Sequence, residues 1–85
     1  MRQFSYRIND PIGLHARPAT MIAKEAKNFY SEIILSANGK KANAKAMIMV
    51  MSMAVKQGTE VIVSAEGIDE EEAIKSFEGF FKDNL

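Results

Sequence analysis

The sequence predicts an α+β fold in which a four-stranded antiparallel sheet is covered on one face by three helices. Stretches with strand-like and helix-like periodicity alternate in the order β-α-β-β-α-β-α. Elements in this order pack as two layers, because the sheet and the helices must bury their apolar faces against each other. The length of 85 residues suits a single domain spanning residues 1–85.

The first strand and the first helix are marked by a change of periodicity. Apolar residues alternate with polar ones over residues 4–8, which is typical of a half-buried strand. From Ala16 to about Phe29 the apolar residues recur at helical spacing. Because a proline is tolerated only in the first turn of a helix, Pro18 requires this helix to begin close to His15.

The middle of the chain predicts a hairpin followed by a short helix. Residues 32–37 form the second predicted strand, and residues 40–43 the third. The Asn38-Gly39 pair between them is a strong signal for a hairpin turn. Residues 46–54 are rich in methionine and contain no helix breaker, so we expect a short helix there.

A fourth strand and a last helix complete the predicted fold. Alternation over residues 60–65 predicts the strand. Asp69 is a suitable N-cap for the helix, and the glutamates at 70–72 favour the positive end of the helix dipole. The apolar stripe of this helix consists of Ala73, Ile74, Phe77 and Phe81.

The composition is that of a globular protein and excludes several classes of function. Hydrophobic residues make up 47% of the chain and charged residues 26%. Eleven basic residues balance eleven acidic ones, so the excess positive charge on which nucleic-acid binding depends is missing. With no cysteine and a single histidine, the chain lacks the ligands for a disulfide or a zinc site. We therefore expect no metal and no other cofactor.

The location of the protein is predicted from the absence of targeting signals. The start of the chain is polar and alternating, unlike a signal peptide. No apolar run approaches the ~18–20 residues of a membrane span. We expect a soluble cytoplasmic protein that neither inserts into a membrane nor binds nucleic acid.

The segment around His15 has the chemistry of a phosphoryl acceptor. At the predicted helix start, the unpaired N–H groups of Ala16 and Arg17 and the helix dipole favour an anion. The dipole also disfavours a protonated imidazole, which would keep more neutral His15 available as a nucleophile at neutral pH. Arg17 adds a fork of donors suited to phosphate. On these residues alone, an ordinary capping histidine is the commoner explanation of His15.

The sequence Gly-Leu-His-Ala-Arg-Pro-Ala at Gly13 to Ala19 resembles the signature of the HPr family. These proteins are the histidine-containing phosphocarriers of the bacterial sugar phosphotransferase system. The resemblance covers essentially all 85 residues. Further segments that match the family in order and spacing are Lys24-Glu25-Ala26, Asn38-Gly39-Lys40, Asn43-Ala44-Lys45, Val50-Met51-Ser52, Gln57-Gly58-Thr59 and Ala65-Glu66-Gly67.

The resemblance implies both an open-faced sandwich fold and a function. Enzyme I, charged by phosphoenolpyruvate, would phosphorylate His15 on its Nδ1 atom, and Arg17 would help to bind the phosphate. The phosphohistidine would then pass its phosphoryl group to enzyme IIA domains of sugar transporters. We expect a monomeric carrier rather than an enzyme.

The methionine-rich helix is expected to expose apolar side chains, because a helix this short cannot bury all of them. Flexible methionines suit a surface that meets several partners. The resemblance implies that Thr20, Met47, Ile48 and Met51 dock enzyme I and enzyme IIA. The lysines that would favour acidic partner faces, or simply form a solvated surface, are Lys24, Lys27, Lys40, Lys41 and Lys45.

A regulatory serine of the family is absent. Many Gram-positive members carry, at the position of Ala46, a serine that a dedicated kinase phosphorylates. Since alanine has no hydroxyl, we expect that kinase to leave this chain unmodified. Alanine is also a poor N-cap, by typically ~1 kcal/mol relative to serine. Ser52 is a possible substitute site, although a serine within a helix is usually just tolerated.

Two other functions stay open at this point. A regulatory paralogue would bind partners without carrying phosphate in sugar uptake, but the retained His15-Ala16-Arg17 segment argues against it. A nucleic-acid-binding sandwich is disfavoured by the net charge of zero and by the lack of an aromatic stacking motif on a strand.

Overall fold

The computed structural model describes residues 1–85 and contains the predicted elements in the predicted order. Their bounds are β1 (Arg2–Arg7), α1 (Ala16–Ala26), β2 (Glu32–Ala37), β3 (Lys40–Asn43), α2 (Met47–Ser52), β4 (Glu60–Glu66) and α3 (Glu70–Asn84). The strands form one antiparallel sheet in the order β1-β4-β2-β3, and the helices pack on one face of it. The predicted fold class is confirmed. None of the helices has the length and hydrophobicity needed to cross a membrane.

The core lies between the inner face of the sheet and the helices. Along β4, Val61, Val63 and Ala65 are buried while the residues between them face outward, as the period of two requires. Phe81 of α3 packs edge-on against two aromatic rings of β1, with centroids 5.8 Å from Phe4 and 5.7 Å from Tyr6. Such pairs are worth about 0.5–1.5 kcal/mol beyond their buried area. They fix the end of α3 over the edge strand.

The hairpin between β2 and β3 also holds the end of α2. Asn38 and Gly39 both adopt positive φ (53° and 74°), as a tight hairpin turn requires. The side-chain amide of Asn38 donates hydrogen bonds to the carbonyl oxygens of Met53 (3.1 Å) and Ala54 (3.3 Å). These carbonyls have no partner within the helix, so the turn residue stabilises the end of α2.

Two helices are shorter than the periodicity predicted. The last turn of α1 tightens after Ala26, and the half-buried ring of Phe29 packs on the core from outside the helix. α2 begins after Ala46, which is its N-cap, and the positive φ of Ala54 (54°) prevents its continuation. Residues at helix ends keep the apolar spacing of a helix without its hydrogen bonds, so the sequence pattern overestimates the length.

Asp69 precedes α3 as predicted, but its carboxylate does not cap that helix. It accepts hydrogen bonds from the N–H groups of Tyr30 (2.8 Å) and Ser31 (2.9 Å) and from the Ser31 hydroxyl (2.5 Å). The Asp69 backbone (φ −111°, ψ 27°) lacks the extended conformation that directs a capping side chain at the first turn. The carboxylate therefore joins the start of α3 to the start of β2.

Candidate functional site

His15 is the N-cap residue of α1, which agrees with the prediction that the helix begins close to His15. Its backbone is extended (φ −98°, ψ −169°), and its carbonyl oxygen accepts the N–H of Ala19 at 3.0 Å. The imidazole makes no capping hydrogen bond to the helix, and the residue is half-buried. The ring is therefore positioned by the backbone at the surface, where a partner can reach it.

Two unpaired N–H groups lie beside the imidazole. Ala19 is the first residue of α1 whose N–H finds a helical acceptor. Pro18 has no N–H, so the free donors of the first turn belong to Ala16 and Arg17. Together with the dipole of α1, these donors make the helix start favourable for an anion.

Arg17 is exposed and free to bind an anion. It takes part in neither of the two salt bridges of the protein, which join Met1 to Glu70 and Arg2 to Glu71. Its guanidinium offers two parallel donors to phosphate oxygens without first having to leave a carboxylate.

Gly13 is required by a close approach of two backbone segments. It adopts φ +81°, and a Cβ atom there would lie 2.4 Å from the carbonyl oxygen of Val55 and 2.8 Å from Cα of Lys56. Next to it, the N–H of Leu14 donates to the same Val55 oxygen at 3.0 Å. The loop after α2 therefore fixes the approach of the chain to His15.

The turn before His15 is braced by the end of α3. Asp10 accepts the N–H of Ile12 on Oδ1 (2.8 Å) and the N–H of Gly13 on its carbonyl oxygen (3.0 Å). The Leu85 oxygen accepts the N–H groups of Asn9 (2.6 Å) and Asp10 (2.7 Å), and the Leu85 side chain is buried. Leu85 was not predicted as an anchor, because its apolar character at the end of a helix is the only sign of this role in the sequence.

His15 and Arg17 share an open cleft between the start of α1 and the end of α3. The other residues that line it are Asp10, Ile12, Pro18, Met21, Asp83 and Asn84. Sequence reasoning did not identify the carboxylates and exposed apolar side chains of this list. Their membership depends on where α3 ends, which periodicity does not determine.

The docking residues implied by the resemblance lie on α1 and α2, two helices that pack against each other. The hydroxyl of Thr20 donates to the carbonyl oxygen of Ala16 at 2.8 Å and lies 3.0 Å from Sδ of Met47, which joins α1 to α2. Ile48 is 72% exposed and Met51 is 37% exposed. The structure therefore joins Thr20 to Met47, and it leaves Ile48 and Met51 as exposed apolar side chains on α2.

Ala46 and Ser52, the two positions considered for regulatory phosphorylation, have ordinary structural environments in α2. Ala46 is the N-cap of α2 and has no side chain with which to cap it. The Ser52 hydroxyl donates to the carbonyl oxygen of Met49 at 2.7 Å within the same helix, the usual way in which a helix accommodates a serine.

The carboxyl groups with shifted pKa values lie away from His15, at the start of α3. The hydrogen bond from the Ser31 hydroxyl does most to lower the pKa of Asp69, and the N–H of Tyr30 lowers it further. The pKa of Glu70 is lowered chiefly by the N–H of Gly67. Both shifts follow from hydrogen bonds that hold the fold together.

The exposed start of α1 brings together an imidazole ring, a free guanidinium and unpaired N–H groups, an arrangement suited to a small carrier of anionic groups. The chain belongs to the PTS-HPr family of phosphocarriers of the phosphotransferase system: residues 2–83 match its family model, described as "PTS HPr component phosphorylation site".

Individual relatives support the same family. The phosphocarrier protein HPr of Mycoplasma capricolum is 49% identical over 76 residues, covering 89% of this chain and 85% of the relative. A solved histidine-containing phosphocarrier protein of Mycoplasma is 45% identical, with a TM-score of 0.93 over 96% of this chain and 93% of the other. A dimeric HPr from Thermoanaerobacter tengcongensis is 42% identical, with a TM-score of 0.76 over 98% and 95% of the two chains.

Proposed function

We propose that the chain accepts a phosphoryl group on His15 from phosphoenolpyruvate-charged enzyme I and passes it to enzyme IIA domains of sugar transporters. The observation that carries this proposal is the position of His15 at the N-cap of α1, beside the unpaired Arg17. Family membership supports the carrier role as a whole.

The chemistry follows from these groups. The lone pair of His15 Nδ1 attacks phosphorus and forms a new N–P bond, while the bond from phosphorus to the donor breaks and leaves its electron pair on the donor. Negative charge on the transferring oxygens is stabilised by the guanidinium of Arg17 and by the N–H groups of Ala16 and Arg17. Passing the group to an acceptor is the same step in reverse, so one site serves both directions.

The docking surface supports transfer between proteins. Thr20, Met47, Ile48 and Met51 would contact enzyme I and enzyme IIA in turn, because apolar side chains beside the reacting ring exclude water when covered. We propose that the chain acts as a monomer, because one copy contains all the groups named above. We also propose that it acts in the cytoplasm.

The test is a phosphorylation assay with enzyme I and phosphoenolpyruvate, read by intact mass. We expect one acid-labile phosphoryl group on the wild type and none on His15→Ala. Arg17→Ala should slow the transfer by about a hundredfold, the usual effect of losing one preorganised donor. Uptake of phosphate by His15→Ala, or none by the wild type, would overturn the proposal.

A second assay separates sugar transport from a regulatory paralogue. The phosphorylated chain is mixed with an enzyme IIA domain, and the loss of phosphate from the chain is followed with its appearance on the acceptor. We expect stoichiometric transfer. Retention of the phosphate on His15 would favour the paralogue.

A further inference from the structure

Four of the six methionines lie in or beside α2, and their side chains differ in how far they are exposed to solvent. Met49 is 54% exposed and Met51 is 37% exposed, whereas Met53 is 1% exposed and belongs to the core. Met47 is half-buried and packs on the core, with its Sδ atom 3.0 Å from the Thr20 hydroxyl. Within this group, Met49 and Met51 are therefore the methionines that present their thioethers to solvent.

The two exposed methionines lie on opposite sides of α2. Met51 follows Met47 by four residues, so it lies on the same side of the helix, one turn further along. This is the side on which Met47 contacts Thr20 of α1. Met49 is about 200° around the helix axis from both, and it lines a groove with Ile34, on the face of the sheet that the helices leave uncovered. Met51 is thus grouped with the docking residues, and Met49 is not.

An exposed thioether is open to oxidation by a peroxide. The sulfur lone pair attacks one oxygen of hydrogen peroxide, an S–O bond forms, and the O–O bond breaks. The proton of the attacked oxygen passes to the leaving oxygen, which departs as water. The sulfur is oxidised by two electrons, and the peroxide is reduced. The product is the polar methionine sulfoxide, which methionine sulfoxide reductases convert back to the thioether.

A sulfoxide at Met51 changes the docking residues and leaves the reacting groups at His15 intact. Its oxygen accepts hydrogen bonds from water in the free carrier. A partner that covers this oxygen removes the water, and a surface that fits a thioether offers no donor in its place, so binding is weakened. The same group at Met49 lies on the other side of α2 and stays in solvent.

We propose that Met51 is a reversible oxidation site, that its oxidant is a peroxide, and that its sulfoxide weakens the docking of enzyme I while the chemistry at His15 is unchanged. This inference rests on the proposed function, because the effect requires Met51 to contact enzyme I during transfer.

The order in which the methionines are oxidised tests the assignment of the site. The chain is treated briefly with hydrogen peroxide, and the added oxygen is located by peptide mass spectrometry. Met49 and Met51 should be oxidised at least about tenfold faster than the buried Met53. Oxidation of Met53 as fast as Met51 would overturn the assignment, because exposure would then not select the site.

Steady-state phosphorylation by enzyme I tests the effect on docking. Met21 lines the cleft beside His15, so all proteins in this test carry Met21→Leu, which nearly keeps the side-chain volume and cannot be oxidised. Peroxide should raise KM for this carrier about tenfold, with kcat changed less than about twofold, because a contact is weakened and no reacting group is altered. Treatment with the two methionine sulfoxide reductases, one for each sulfoxide epimer, should restore the untreated KM.

Two further substitutions provide the matched controls, and each protein is compared with its own untreated sample. With Met51→Leu, KM after peroxide should stay within about twofold of the untreated value, because the site is gone. With Met49→Leu, the other exposed methionine of α2 is removed and the full rise in KM should remain.

The inference and the proposed function fail in different ways. If Met51 is converted to the sulfoxide and KM does not rise, or rises equally with Met51→Leu, the inference is wrong and the proposed function stands. If the untreated wild type takes up no phosphoryl group from enzyme I, the proposed function fails and the inference falls with it.

Discussion

His15 owes its position to backbone contacts more than to its side chain. The turn that precedes it is held by Asp10 and Leu85, and Gly13 packs directly against the backbone of Val55. The sequence placed Gly13 just before the predicted start of α1. It did not predict that a distant segment supplies the atoms against which the glycine packs, because that contact exists only in the folded chain.

Gly13→Ala should destabilise the protein and impair phosphorylation together. The substitution puts a side chain on a residue in the left-handed conformation, which costs about 1–2 kcal/mol. Its Cβ also clashes with fixed backbone, so we expect the free energy of unfolding to fall by about 3 kcal/mol or more. Urea unfolding measures the loss. Gly39→Ala is the matched control, because Gly39 also has positive φ (74°) but nothing within 4 Å of its Cβ position, and it should lose only the conformational part. Equal losses in the two variants would contradict the role of the close approach.

At the scale of the elements, α2 was predicted by its lack of breakers and by its apolar residues, and its ends were not. Its termination before Ala54 depends on the positive φ of that residue, a conformation that alanine does not signal in a sequence. Asn38, read as a hairpin residue, also satisfies carbonyls at the end of α2. Such double roles arise from packing between elements, so no local sequence pattern predicts them.

Ala46→Ser should stabilise α2 and restore a phosphorylation site. A serine at this N-cap can accept a hydrogen bond from the first turn, which is worth about 0.5–1 kcal/mol. We expect the regulatory kinase with ATP to modify Ala46→Ser and to leave the wild type unmodified, as read by intact mass, while urea unfolding reports the gain in stability. A stoichiometric phosphate on the wild type, at Ser52 or elsewhere, would contradict this expectation.

The junction between α3 and β2 should make stability depend on acid pH. Asp69 has a lowered pKa in the folded chain because the Ser31 hydroxyl and two N–H groups bind its charged form. The charged Asp69 therefore contributes fully to the free energy of unfolding above its ordinary pKa of 3.8. This contribution is lost as the pH falls through the lowered pKa of the folded chain.

Thermal unfolding between about pH 2 and 6 measures this dependence. Asp69→Asn should have a lower Tm at neutral pH and a flatter decline in acid. Glu72→Gln removes only a charge that the dipole of α3 favours, so it should lower Tm less and keep most of the wild-type decline in acid. An unchanged acid decline in Asp69→Asn would show that other carboxylates cause it.

For the whole molecule, the order of the elements and the place of His15 were predictable, and the composition of the cleft was not. The order of the elements and the place of His15 follow from local patterns. Examples are the alternation along β1 and β4 and the position of Pro18. The cleft forms because the end of α3 lies beside the start of α1. The aromatic packing of Phe81 on β1 holds α3 in this position. Residues such as Asp83 therefore became candidates only with the structure.

The central claim is that a phosphoryl group is carried on the Nδ1 atom of His15. The most direct measurement is a ¹H–¹⁵N long-range correlation spectrum of the protein after treatment with enzyme I and phosphoenolpyruvate, with ¹⁵N-labelled histidine. Because His15 is the only histidine, its ring signals are unambiguous. We predict a shift and phosphorus coupling at Nδ1. Phosphorus coupling at Nε2, or unchanged ring signals in protein whose mass shows added phosphate, would contradict the account.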